Sequence, residues 1–260
     1  APTVSLGMAD ASPPRRTTNS RRRISLLGLG FWAVGICSGC AARSLVLPAD
    51  VGTPLSDFAR IHQDVAKSCV GVRTLTAELA LVGRAGGQRV RGKVVAGFAR
   101  PASMRLEGVA PFGPPAFILA AREGSAILLF PREARVLQGE PTAEMLGALA
   151  GVALGPADLQ AILTGCVLAE PRPTSGRVHG NGWASIDLDA AATLYLQRPR
   201  NSAWQLRAAT RDGWRLEYVS WQGDFPRTVR LRSVGQDVNV DLIVTASQLE
   251  ANVAIDEAAF

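Results

Sequence analysis

From residue 74 onward the chain alternates apolar and polar positions. Leu75, Ala77, Leu79 and Leu81 fall on one side, with Thr74, Thr76 and Glu78 on the other. Val90, Val94, Ala96 and Phe98 alternate with Arg91 and Lys93, and Met104 and Leu106 with Arg105 and Glu107. A period of two puts one face of a strand in a core and the other in water, the pattern of a half-buried antiparallel sheet. After residue 176 it resumes around Trp183, Leu194 and Leu196, Trp204 and Leu206, Trp214 to Tyr218, Val229 and Leu231, and Val238 to Val244. Gly86-Gly87, Glu123-Gly124, Asn181-Gly182 and Asp212-Gly213 stand between such segments, where hairpins need residues with positive φ.

Three stretches change the period. Residues 57–69 place Phe58, Ile61, Val65 and Cys69 at helical spacing, after Ser56 as a possible N-cap. Residues 142–150 and 156–164 carry further helical stripes: Met145, Leu146 and Leu149, then Leu159, Ile162 and Leu163. Pro156 suits a first turn and Gly165 a stop. The sum is an α+β chain of about ten strands and three helices, without a fixed repeat. One connection stands apart. Val109 to Pro115 holds three prolines and a glycine, which forbid ladder pairing. Phe112 at its centre is either tucked into the core or displayed to a membrane or a partner cavity.

The first 39 residues behave differently from the rest. Residues 24–36, ISLLGLGFWAVGI, are uncharged and follow Arg15, Arg16, Arg21, Arg22 and Arg23. A bilayer-spanning helix needs ~20 residues, so a short apolar run behind a basic segment reads as an export signal. Ser20 to Ile24 also allows the twin-arginine route. The run ends Cys37-Ser38-Gly39-Cys40. Ser38-Gly39-Cys40 resembles a bacterial lipoprotein lipobox, in which the cysteine is acylated and becomes the new N-terminus. Cys37 stands where that pattern usually has Leu. Ala41 in the next position implies sorting to the outer membrane. Stable anchoring takes at least two acyl chains, each CH₂ contributing ~0.8 kcal/mol, and a triacylated Cys40 would supply them. Residues 1–39 are then a removed signal, 40–55 a lipidated tether and 56–260 the folded domain.

Charge and cysteines follow that division. The chain of 260 residues carries +6, but four of those units belong to residues 1–39. The rest is close to neutral, which argues against a nucleic-acid partner. Export implies an oxidising compartment, where the two remaining cysteines, Cys69 and Cys166, are expected to pair. The apolar fraction of 47% is ample for a core.

The sequence holds little catalytic chemistry. Outside the lipobox run Cys37 to Cys40 no CxxC is present, and no HExxH, acidic calcium loop or GxSxG, so neither a metal nor another cofactor is expected. His179, beside a turn, and His62, on the polar side of the first helix, read as surface histidines. A hydrolase would require His179 to meet a serine and a carboxylate in a cleft. The tryptophans of the later strands read as core, although stacking on a ligand uses the same residues.

The order of elements (amphipathic helix, about six strands, helical insert, further strands) resembles the LolA/LolB-like family of lipoprotein carriers and outer-membrane receptors over most of residues 56–260. Met104-Arg105-Leu106-Glu107 leading into Pro111-Phe112-Gly113 resembles the receptor's strand and protruding apolar loop. Residues 249–260, ending on Phe260, resemble the closing segment. The Cys69/Cys166 pair departs from that family. The resemblance implies an incomplete antiparallel barrel lidded by helices over an apolar cavity. Candidate lining residues are Leu79, Leu81, Val94, Phe98, Met104, Leu106, Leu119, Leu128, Trp204, Leu216 and Leu231. It implies a non-enzymatic lipoprotein of the outer membrane, facing the periplasm. Its partners would be the membrane through the lipid anchor, acyl chains of lipoproteins or lipids, and a periplasmic carrier protein. Residues of the same kind would equally serve a structural docking lipoprotein with a filled core.

Overall fold

A computed structural model describes residues 44–260 apart from 123, 141–153, 169, 190, 200–201 and 236–238. The export signal, the lipobox with Cys40, the helix expected over 142–150, and Val238 lie outside the described residues. Two helices are described, α1 (Phe58–Val70) and α2 (Pro156–Thr164). The strands are β1 (Thr53–Pro54), β2 (Thr74–Ala85), β3 (Gln88–Ala99), β4 (Ser103–Val109), β5 (Ile118–Arg122), β6 (Ser125–Phe130) and β7 (Arg135–Gly139), then β8 (Pro173–His179), β9 (Trp183–Leu188), β10 (Thr193–Gln197), β11 (Gln205–Arg211), β12 (Trp214–Gln222), β13 (Phe225–Ser233) and β14 (Val240–Ala251).

All fourteen join one antiparallel sheet in the order β1-β8-β9-β10-β11-β12-β13-β14-β2-β3-β4-β5-β6-β7. Two long-range pairings break the sequential order: β1 joins β8 with Thr53↔Val178, and the last strand, β14, lies beside the first long one, β2, over the register Val240↔Ala85 to Ala251↔Leu75. The sheet is therefore open, as an incomplete barrel requires, but it has fourteen strands against the ten read from the sequence. The period-two signal fails where its physical cause is missing. β1 has two residues, β7 is exposed at every position, β6 is an unbroken apolar run (Ala126 to Phe130), and β8 is broken by Pro173 and Gly176.

The sheet curls around α2. That helix touches both β13 and β4, between which β14, β2 and β3 intervene. Four strand spacings of ~4.8 Å would set β13 and β4 about 19 Å apart in a flat sheet. A helix about 10 Å across reaches both only if the sheet bends around it. On the bent inner face lie two apolar clusters. One is built on Ile186, Leu194, Leu196, Leu206, Leu216, Leu231 and Leu242, the other on Leu75, Leu79, Phe98, Met104, Leu119 and Leu128. Ile162 of α2 enters the first, Leu163 the second, and Leu159 packs against both.

α1 begins one residue later than the sequence suggests. Asp57 occupies the N-cap without a capping bond, because its carboxylate accepts from Arg60 Nη2 at 2.6 Å instead. Phe58 sits against β8 where Gly176 lies: a Cβ there would come within 2.3 Å of the Phe58 Cβ. His62 is buried, which corrects its placement on the polar side of the helix. Gly165 ends α2 in the left-handed conformation, φ 91°.

Candidate functional site

The helices form one tied unit over the inner face. Cys69, in the last turn of α1, and Cys166, just past α2, are joined as a disulfide with Cα atoms 5.7 Å apart. Arg211 of β11 then fastens α2 at both ends. Its Nη1 lies 2.9 Å from Asp158 Oδ1 in the first turn and donates to Val167 O at 3.0 Å beyond the last. A guanidinium supplies several donors in a rigid fork, which suits it to such a clamp.

Of the eleven nominated lining residues, eight fall in the second cluster. Leu79, Phe98, Met104, Leu119 and Leu128 are buried there, and Leu81, Val94 and Leu106 pack against them. Leu216 and Leu231 are buried in the first cluster and Trp204 lies at its margin. All eleven thus lie on the inner side, but they divide between two packed groups on either side of α2. Two polar atoms inside the first cluster have no partner among the described residues: Tyr218 Oη and, stacked beside it at a ring-centroid distance of 5.7 Å, Trp221 Nε1. Burial pushes the Tyr218 hydroxyl pKa far up, against a small lowering by Arg211, so it remains a neutral donor. An unpaired buried hydroxyl costs about 1–3 kcal/mol. No periodicity in the sequence signals this, since it depends on what α2 does not offer.

A cleft of about 330 Å³ opens elsewhere, lined by Leu55, Asp57, Ile61, Val178, His179, Gly182, Arg198 and Trp204. The Arg198 guanidinium stacks on the Trp204 ring at 4.8 Å. The His179 side chain is only 6% exposed, which corrects its reading as a surface histidine. Its Nε2 lies 3.0 Å from Ser185 Oγ, and its Nδ1 lies 3.3 Å from Asp50 Oδ2 without hydrogen-bond geometry. The order serine, histidine, carboxylate is that of a nucleophilic relay. Its setting is wrong for one: Ser185 is buried in mid-strand, outside the cleft lining, and its backbone is in the β8 and β10 ladders rather than at a turn offering free N–H groups.

Phe112 is displayed: it is 88% exposed at the tip of the β4–β5 loop. Arg132, in the β6–β7 connection, holds the loop by donating from Nη2 to Phe112 O and from Nε to Pro114 O. Pro111 and Gly113 are exposed beside it.

The stretch expected to be a free tether is docked from Ser44 onward, a correction with a clear cause. Leu45 O accepts from Arg215 Nη2, Leu45 N donates to Glu217 Oε2, and Ser44 Oγ accepts from Arg232 Nη1 at 2.8 Å. Further on, Val51 O accepts from Arg177, and Thr53–Pro54 pairs with β8. The segment lies on the outer face of the sheet, where arginines at alternate positions satisfy its backbone. Among the described residues no helix is long and apolar enough to cross a membrane, and no group of side chains has the makings of a metal site.

No family profile and no curated protein sequence matches the chain. Solved structures do. A DUF1329 family protein from Desulfovibrio piger is similar with a TM-score of 0.53 at 9% identity, over 79% of this chain and 96% of that one. A LolA superfamily protein from Nitrosomonas europaea matches with a TM-score of 0.49 at 7% identity, over 76% and 97%. The lipoprotein LppX of Mycobacterium tuberculosis matches with a TM-score of 0.31 at 10% identity, over 76% and 95%. The first of these shares this chain's fold.

Proposed function

We propose that the protein is a non-enzymatic lipoprotein, anchored through Cys40 in the outer membrane and facing the periplasm. It would bind acyl chains of lipoproteins or lipids between the tied α1–α2 pair and the inner face of the sheet. The observation that carries this reading is the trough, the bent inner face of the sheet under the two helices. A bent aliphatic face is closed by two helices that touch it mainly through apolar side chains, with the unpartnered donors Tyr218 Oη and Trp221 Nε1 inside. An aliphatic lining suits flexible chains, and an ester carbonyl would satisfy a donor that the protein leaves unpaired. Transfer between a carrier and this protein would follow the difference in affinity, with no chemical step and no cofactor. Phe112, held out on a loop pinned by Arg132, would enter the bilayer or the mouth of a carrier.

The test is cavity content. The full chain with Cys40→Ala is purified, and its lipid extract is analysed by mass spectrometry beside titration with an apolar fluorescent probe. Co-purified lipid and saturable probe uptake support the reading. An empty protein that ignores the probe would sink it and favour a docking lipoprotein, the reading that the dense packing of Phe98, Met104 and Leu119 favours. A hydrolase, raised by the His179 contacts, would have to show ester cleavage that His179→Ala abolishes.

A further inference from the structure

The outer face of the β2–β3 hairpin carries Arg84, Arg89, Arg91 and Lys93, all exposed. None makes an ion pair or side-chain hydrogen bond with a described residue. Arg84 and Arg89 stand directly opposite each other, and like charges in that relation destabilise a hairpin. Two of the acids that could offset them are engaged elsewhere, and a third, Glu78, lies exposed on the same face, diagonal to Lys93. Asp241, across from Arg84, accepts from Arg230 Nε and Nη2 at 2.7 and 2.6 Å, and Glu107 is paired with Arg105. Between the cations lie Val82 and Val95, 51% and 45% exposed. A cationic face studded with exposed valines has little use for water alone.

We propose that this face docks on the anionic phospholipid headgroups of the membrane surface. Two observations favour a lipid surface as the occupant. The first is apolar content: the valines give contact to the acyl boundary, and Lys93 pairs across to Val109, from which the chain enters the Phe112 loop. The second is where the N-terminal segment arrives. Ser44 is held by Arg232, and one register row runs Arg232, Asp241, Arg84, Arg89 across β13, β14, β2 and β3. Arg84 is two strands from Arg232, about 10 Å. The described chain therefore begins on the same face as the cations. The second observation, and which membrane that face meets, rest on the reading of Cys40 as a lipid anchor; the first does not. Each basic side chain near an anionic surface adds about fivefold to partitioning.

The test is co-sedimentation of the full chain carrying Cys40→Ala with vesicles of phosphatidylcholine, alone or mixed with phosphatidylglycerol. Every form keeps the same N-terminal segment, so its contribution cancels. A variant with Arg84, Arg89, Arg91 and Lys93 all changed to Gln is compared with one in which Arg60, Lys67, Arg172 and Arg227 are changed to Gln. The hairpin variant is expected to lose on the order of several hundredfold in partitioning to the anionic vesicles. The control is expected to stay near the parent, and salt to weaken parent binding. Thermal melts should show the hairpin variant folded and no less stable, since an opposed Arg pair is gone. Equal losses in both variants, a loss within twofold for the hairpin variant, or an equal loss on pure phosphatidylcholine would overturn the proposal. Apolar-probe uptake, measured on the same preparations, reports the acyl-binding reading separately, because no hairpin cation lines the trough.

Discussion

The two faces of the sheet are made by alternate residues of the same strands, yet they solve opposite problems. The inner face excludes polar groups so far that even Tyr218 Oη is left without a partner. The outer face gathers charge and then handles it in two ways. On β12 and β13 it is buried and compensated: Glu217, 4% exposed, lies between Arg215 Nη2 at 2.9 Å and Arg232 Nη2 at 2.6 Å, and the segment from Ser44 covers all three. On β2 and β3 it is exposed and uncompensated. The difference shows that the near-neutral total of the domain conceals a segregated surface, and that the outer face is not merely solvated.

The largest break in this contrast would come from untying the helices. Cys69→Ser with Cys166→Ser opens a loop of 97 residues, and the chain-entropy relation gives a loss of about 4–5 kcal/mol in denaturant unfolding. If the trough is a binding site, apolar-probe uptake per folded molecule should rise as stability falls. If it is a filled core, both should fall together. Truncation comes next. Phe98→Ala on the inner face should cost about 3–5 kcal/mol, as a fully buried aromatic does. Val95→Ala, three residues earlier and 45% exposed on the outer face, should stay within about 0.5 kcal/mol. Similar costs at both positions would erase the distinction between the faces.

On the outer face, Glu217→Gln keeps the shape and removes the charge. It leaves Arg215 and Arg232, which are cross-strand neighbours, opposed and partly buried. The expected cost is about 2–3 kcal/mol, below that of a fully buried pair because both arginines keep some contact with water. Limited proteolysis should then cut within residues 44–52, since the segment loses the acceptor for Leu45 N. An unchanged digestion pattern would show that Arg232 and β1 hold the segment without Glu217.

How much of this was legible in the sequence follows from how local each cause is. Leu75 to Leu81 and Val94 to Phe98 announce their strands because one face meets a core and the other water. Pro156 and Gly165 announce the bounds of α2 because each acts on its own backbone. β8 is silent because Gly176 answers the approach of Phe58, which lies more than a hundred residues earlier. The docking of Ser44 on Arg232 and the burial of His179 beneath residues 50–52 are silent for the same reason: they depend on which strands become neighbours. The four cations of the hairpin were visible as letters. Their meaning was not, because it required knowing that Asp241 and Glu107 are already taken. Phe112 was legible as an anomaly, and only the fold decides that it points outward.

The smallest expected effect concerns His62, buried on α1. Burial lowers its pKa from the ordinary value of 6.5. A histidine held neutral in the folded state takes up its proton more readily when unfolded, so stability is fully present above the unfolded value. It is lost as pH falls below 6.5 toward the folded pKa. Asp241 acts in the same direction further down the scale. Its hydrogen bonds from Arg230 hold its carboxyl below the usual range, and that contribution disappears only in stronger acid. Unfolding followed from pH 7.5 to pH 5 should therefore show a shallow decline that His62→Gln removes, with the Asp241 step left intact at lower pH. A decline that persists unchanged in His62→Gln would mean that the inner side admits enough water at α1 to keep the imidazole solvated, and the contrast between a dry inner face and a charged outer one would have to be redrawn there.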